Sequence, residues 1–264
     1  MIPEISASKV AALIGLNKYQ SSSETMYELF LKDKDTKQKI LDVEHANGRV
    51  SFNAVVCKVL KDKSVQDCIS SGIAEASRTT DVSTVLEEVQ KRANVILTLR
   101  YSEYAPDARA RIADEIRGMV SKRRGIANEN TILDQYEVER DVKVVERNTK
   151  MCRKVYSNFK LCGRTDGYVP SENRIVDSKE RTRVWENVPI YDEIQLRCYM
   201  DMTGVTESEL VERFPNGQTR HTKFLNEPEK WKVLETAISE AVNKMNAILE
   251  NPEELKRIVF ENTI

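Results

Sequence analysis

Histidine is nearly absent, with His45 and His221 the only two in 264 residues. The five cysteines, Cys57, Cys68, Cys152, Cys162 and Cys198, are scattered and include no Cys-x-x-Cys pair. That set gives poor support to a zinc or iron–sulfur centre and reads instead as reduced thiols. No apolar run approaches the roughly 20 residues that a membrane helix needs. Met1-Ile2-Pro3-Glu4 has no basic segment leading into an apolar one, so no secretory signal is read. A surplus of charge is missing too: 41 Lys and Arg against 42 Asp and Glu leave a formal net charge of −1. No protein-wide basic field announces nucleic acid, although a nucleic-acid-binding protein needs only a basic groove. Hydrophobic residues at 40% and charged residues at 31% suit a soluble globular chain, long enough for one large domain or two small ones.

What is present falls into two halves. Residues 6–31 read as a helix pair, with Ser6 and Ser8 as candidate caps and Val10, Leu13 and Ile14 at helical spacing. Residues 32–48, rich in lysine and aspartate, read as an exposed connection. From about 50 to 136 the apolar steps stay helical: Val55, Val56 and Val59, then Val85, Leu86 and Val89. Pro106 with Asp107 opens a further helix, for which Gly125 suggests a kink or boundary. After Tyr136 the period changes. Val138, Val142, Val144 and Val145 lie among charges as strand residues do. Two strands over 155–169 and 173–180 flank a turn at Pro170-Ser171-Glu172-Asn173. A helix after Pro189, short strands near 208–214 and 219–225, and an amphipathic helix over 228–250 complete the pattern.

The hairpin carries the strongest chemical signal. A turn over 170–173 sets Val169 opposite Arg174 and, continuing the count, Asp166 opposite Asp177. Like charges directly opposed weaken a strand pair, and two such carboxylates invite a hard divalent cation. Asp177 and Lys179 are two residues apart, so both share the face of Ile175. A lysine there could hold water beside a phosphate. On spacing alone, an exposed hairpin with solvated charges accounts for the same residues. Glu129 adds weight, because Ile126, Ile132 and Leu133 place it at the border of an apolar helix face, where an acid needs a partner. A salt bridge to Arg123 or Arg124 is the alternative. Gln195, with Tyr191 and Tyr199 one turn to either side, could orient water or touch a phosphate. Lys122, Arg123 and Arg124, and Arg164, Arg181 and Arg183 around the hairpin, could line a groove or form solvated faces. Tyr19 could stack on a terminal base or simply pack.

The order of these pieces resembles a known family. Ser6-Ala7-Ser8-Lys9-Val10 with Ile14-Gly15-Leu16-Asn17-Lys18-Tyr19 looks like the opening of YqaJ-type viral recombinases, relatives of phage lambda exonuclease in the PD-(D/E)xK nuclease superfamily. Arg124-Gly125 followed by Glu129 resembles their Arg-Gly-x-x-x-Glu helix. Gly163-Arg164-Thr165-Asp166-Gly167 resembles the Pro-Asp-Gly turn, Val176-Asp177-Ser178-Lys179 the acid-x-Lys strand, and Gln195 through Met200 the Gln-x-x-x-Tyr-Met helix. The match covers about residues 4–30 and 120–250.

This resemblance implies an α/β nuclease core, a mixed central β-sheet flanked by helices, with a large helical N-terminal region. Residues 1–264 would form a single nuclease domain with 40–120 as a helical insertion. By the same resemblance, Asp166 and Asp177 bind Mg²⁺ or Mn²⁺ with the Ser178 carbonyl. Glu129 serves a second ion or its water, Lys179 positions the attacking water, and Gln195 supports it. The implied activity is a 5′→3′ exonuclease on double-stranded DNA ends in recombination or repair. An RNA-degrading nuclease and a non-catalytic nucleic-acid-binding module are the alternatives. Ser6, Ser8, Arg124, Arg164 and Arg181 are the expected nucleic-acid contacts; a single-strand annealing protein and further copies of the chain are possible partners. The setting would be soluble, in the cytoplasm or nucleus of a host cell or with a virus. Two departures stand out. Asp177 replaces the family's usual glutamate, and Thr165 its usual proline or serine. The family's end-binding arginine ahead of Ser-Ala-Ser has no counterpart among residues 1–5, leaving Ser8 for that role.

Overall fold

The computed structural model describes residues 1–264. In chain order β1 (Glu4–Ser6) leads to α1 (Ala7–Leu13), α2 (Ser22–Lys32) and α3 (Lys34–Ala46). Then come α4 (Phe52–Val59), α5 (Lys63–Ala76), α6 (Val82–Arg100) and α7 (Pro106–Arg140). The second half holds β2 (Met151–Val155), β3 (Lys160–Arg164), β4 (Gly167–Val169), β5 (Arg174–Glu180) and α8 (Ile190–Thr203). It ends with β6 (Glu207–Arg213), β7 (Thr219–Leu225), α9 (Pro228–Glu250) and α10 (Pro252–Glu261). No helix is long and apolar enough to cross a membrane.

Several local expectations are corrected. The supposed connection at 32–48 is α3: the Asp33 carboxylate caps it by accepting the Asp35 and Thr36 amides at 3.1 and 3.0 Å. Ile40 then anchors α3 fully buried. The helix opened by Pro106 runs unbroken through Gly125 for 35 residues. Val138 lies on its last turn, 84% exposed, not on a strand. Of the following valines, only Val145 pairs, through one bridge to Tyr168. β2 and α10 were not anticipated as separate elements.

The strands form two sheets, ordered β1-β3-β2 and β4-β5-β6-β7, each mixing parallel and antiparallel pairs. They are joined through Thr165 and Asp166, which lie between β3 and β4. β5 is covered on both faces, as alternation demands of a central strand. Ile175 enters the large core built with α1, α2, α8, α9 and α10. Val176 enters a smaller one with Ile132, Leu133 and Tyr136 of α7.

Helices α4 to α6 and the first half of α7 bury a core of their own, from Val55 through Leu97 to Val120. At 1.5 Å per residue α7 is about 50 Å long, so one rigid rod serves both cores. Its first half packs the helical layer and its second half lies on the four-stranded sheet. That places Glu129, past its midpoint, near the end of the β4–β5 hairpin.

Candidate active site

The hairpin adopts the register read from the turn: Val169 pairs with Arg174 and Gly167 with Val176. Asn173, in the left-handed region at φ 47°, completes the reversal. The ladder stops at Gly167, and Asp166 lies one step beyond it, level with Asp177. Here a side chain replaces the ladder. Asp166 Oδ2 accepts the Ser178 amide at 2.8 Å and the Ser178 hydroxyl at 3.2 Å. In an extended strand the N–H and C=O of one residue face the same edge. The Ser178 carbonyl therefore faces Asp166 as well.

Asp177 is 1% exposed. It forms an ion pair with Lys179 and accepts Gln195 Nε2 at 3.3 Å. One turn along α8, the Tyr199 hydroxyl accepts the same Gln195 amide at 3.2 Å and donates to the Arg164 carbonyl at 2.9 Å. α8 thus grips both ends of the site, the acid on β5 and the backbone just before Asp166. The two glycines of the turn motif have steric reasons. A Cβ on Gly163 would strike the Tyr199 ring, and one on Gly167 would strike Val144.

The electrostatics are those of a carboxylate pair short of compensating charge. Burial foremost, opposed by Lys179 and reinforced by Glu129, holds the Asp166 carboxyl above its ordinary range. Burial and then the Asp166 charge push Asp177 up to about 7, against the pull of Lys179. For Lys179, burial alone would lower the ammonium pKa. The charges of Asp177, Asp166 and Asp192 outweigh it and keep the value above the ordinary one, so Lys179 is a cation at neutral pH.

Glu129 projects from α7 toward this pair. Its neighbours Ile132 and Leu133 are buried, but Ile126 is 70% exposed, so only part of the expected apolar border exists. The alternative, a salt bridge to Arg123 or Arg124, does not form. The Asn148 amide donates to Glu129 instead, while the Asn148 backbone N–H donates to the Asp166 carbonyl at 3.3 Å. Arg147 pins that loop to α7 through Asp134 and Glu137, at 2.6 and 3.1 Å.

Among the expected nucleic-acid contacts, Arg124 and Arg181 are corrected. Arg124 is buried and bound to Glu180 and the Ala76 carbonyl. Arg181 is buried between Asp192 and Glu212, at 2.7 and 2.6 Å. Both brace the end of β5 and offer no free cation to solvent, because a buried guanidinium is retained with its carboxylates. Arg164 is exposed and makes no ion pair. Ser6 pairs in register with Cys162, and its hydroxyl lies 3.4 Å from that of the exposed Ser8. Both serines therefore border the strand that leads to Asp166. Sequence reasoning did not single out Asn148 or Asp192. It placed Tyr199 beside Gln195 and in the Gln-x-x-x-Tyr-Met segment but gave it no role, although that four-residue spacing already predicts their contact.

No three His, Cys, Asp or Glu side chains converge as a preassembled metal cluster. The available donor set is oxygen only: two carboxylates at one level, a backbone carbonyl turned toward them, and a third carboxylate across from Asp166. Hard divalent ions accept that set, and their charge would relieve the pressure that holds both aspartates above their ordinary pKa. The residues present fit such an ion.

No family model and no curated protein matches the chain. Among solved structures it is similar to an alkaline exonuclease, LHK-Exo, from Laribacter hongkongensis. The identity is 18%, with 53% of this chain and 75% of that chain covered and a TM-score of 0.42. LHK-Exo in complex with dAMP matches equally, at 18% identity and TM-score 0.42. A phage-related exonuclease from Haemophilus somnus 129PT matches at 15% identity, covering 53% of this chain and 73% of that one, with a TM-score of 0.38. The reading of the site stands on its own distances, burial and charge.

Proposed function

We propose that this chain is a nuclease that hydrolyses nucleic-acid phosphodiester bonds with Mg²⁺ or Mn²⁺ at Asp166 and Asp177. The observation that carries the reading is the convergence of the buried Asp177 carboxylate, the partly buried Asp166 carboxylate, Lys179 and Gln195 at the end of β5, with the Ser178 backbone turned toward them. Asp166, Asp177 and the Ser178 carbonyl would hold one ion, and Glu129 would serve a second. Bound there, a divalent ion withdraws charge from phosphate oxygens and makes water a better nucleophile.

The chain's own residues supply the rest. Lys179 is paired with Asp177 at the end of β5. It orients the attacking water and offsets charge developing on the phosphate. Gln195, fixed between Asp177 and Tyr199, has its amide placed at the same point. Water adds to phosphorus, the bond to the 3′-oxygen breaks, and that oxygen takes up a proton. The products are a 5′-phosphate and a 3′-hydroxyl.

Duplex DNA ends as substrate and 5′→3′ polarity follow from the sequence resemblance, with Ser8 and Arg164 among the candidate contacts for the end. The test is incubation of the purified chain with linear duplex DNA and Mg²⁺. Degradation is expected, blocked by chelation and lost in Asp177→Ala and Lys179→Ala proteins that still melt cooperatively. Degradation that survives both substitutions overturns the proposal.

A further inference from the structure

The loops that follow α1 and β5 bring together aromatic rings and cations beside the carboxylate pair. Tyr19 is 62% exposed, and Tyr191 meets its ring edge-on at 6.0 Å and 71°. The Lys18 ammonium stands 5.1 Å from the Tyr19 ring centre and 4.8 Å from that of Trp185. The Arg183 guanidinium stands 4.8 Å from the same Trp185 ring. Most arginines near the sheet are tied to carboxylates, but neither Lys18 nor Arg183 is.

This arrangement is built rather than incidental. Arg220 donates to the Trp185 and Glu186 carbonyls at 2.8 and 2.9 Å, and Glu212 in turn holds Arg220. The loop bearing Trp185 and Arg183 is therefore fastened to β6 and β7. Tyr191 lies one turn before Gln195 on α8, a rise of about 6 Å, and Gln195 touches Asp177. Tyr191, one turn from Gln195, thus links the exposed Tyr19 ring and the two free cations to the end of α8 that touches Asp177. Aromatic faces accept bases of any sequence, and free cations accept phosphates.

Resting on the nuclease reading above, we propose that Tyr19, backed by Tyr191 and flanked by Lys18, Arg183 and Trp185, stacks one unpaired base of the substrate strand. The substrate strand then enters the site with at least one base out of the duplex.

Equilibrium binding in EDTA separates this site from catalysis. The probes are a short single-stranded DNA and a blunt two-strand duplex, each followed by fluorescence anisotropy. Tyr19→Ala is expected to weaken single-strand binding by roughly 5- to 150-fold, with blunt-duplex binding within twofold. Tyr19→Trp should retain single-strand binding. The double substitution Lys18→Ala with Arg183→Ala should flatten the salt dependence by about 0.7 per lost phosphate contact. Because Tyr19 is exposed, an unchanged melting temperature will show that the variants fold. Single-strand binding that Tyr19→Ala leaves intact overturns the proposal, as does an equal loss on the blunt duplex. A wild-type chain that neither binds nor cleaves nucleic acid overturns the nuclease reading instead.

Discussion

Glu209→Gln offers the sharpest quantitative test of how the sheet beneath the site is held. Glu209, on β6, is fully buried and accepts bonds from the Tyr136 hydroxyl at 2.8 Å, Arg140 at 2.9 Å and Arg174 at 2.5 Å. His221 lies 3.5 Å away and stacks on Tyr136. Burial alone would raise the Glu209 pKa. Contacts with His221 and Tyr136 and the charges of Arg174 and Arg140 reverse that and lower it from 4.5 to about 2. A drop of about two and a half pH units is worth about 3 kcal/mol at 1.36 kcal/mol per unit.

The sign follows from proton counting. Between these two values the unfolded chain binds the proton that the native state refuses, so stability rises with pH. The contribution is complete above about pH 4.5, half gone near about pH 3.3, and lost as pH falls through about 2. Glutamine keeps a partner for Tyr136 but cannot balance Arg174. Arg174 retains Glu172 and Glu207, so the loss should stay near about 3 kcal/mol, the lower end for a broken buried pair. Urea unfolding of wild type and Glu209→Gln at pH 7 and near pH 3.3 is the assay. A gap of about 3 kcal/mol that halves at the lower pH is expected. A gap independent of pH, or one below about 1 kcal/mol at pH 7, refutes the reasoning.

Asn148→Ala should weaken Mn²⁺ binding by about 10- to 100-fold, read by calorimetry, with little change in melting temperature, because it frees the Glu129 carboxylate. Gly163→Ala should destabilise by about 1–3 kcal/mol in denaturant unfolding, since its Cβ meets the Tyr199 ring. Leu97→Ala, at a fully buried position of the helical core, should cost about 2–5 kcal/mol by the same measurement while Mn²⁺ affinity holds.

Much of the site was legible because its signals are local. A four-residue turn sets the hairpin register, alternation sets Asp177 and Lys179 on one face, and a helical turn relates Gln195 to Tyr199. Burial is not local, and there the reading failed. Arg124 and Arg181 look like groove cations until Glu180, Asp192 and Glu212, distant in sequence, are seen to enclose them. α3 escaped notice because its apolar face is little more than Ile40 amid lysines and aspartates. Val138 looked like a strand residue because an exposed valine on a final helical turn carries no period. Asn148 had no sequence signal, since its partners are Glu129 on one element and the Asp166 backbone on another.

Anomalous diffraction from a Mn²⁺-soaked crystal bears most directly on the catalytic reading. A peak about 2.1 Å from carboxylate oxygens of both Asp166 and Asp177, with the Ser178 carbonyl beside it, is the expected result. Mn²⁺ found elsewhere, with the Asp177–Lys179 ion pair intact and no peak between the two aspartates, would contradict it.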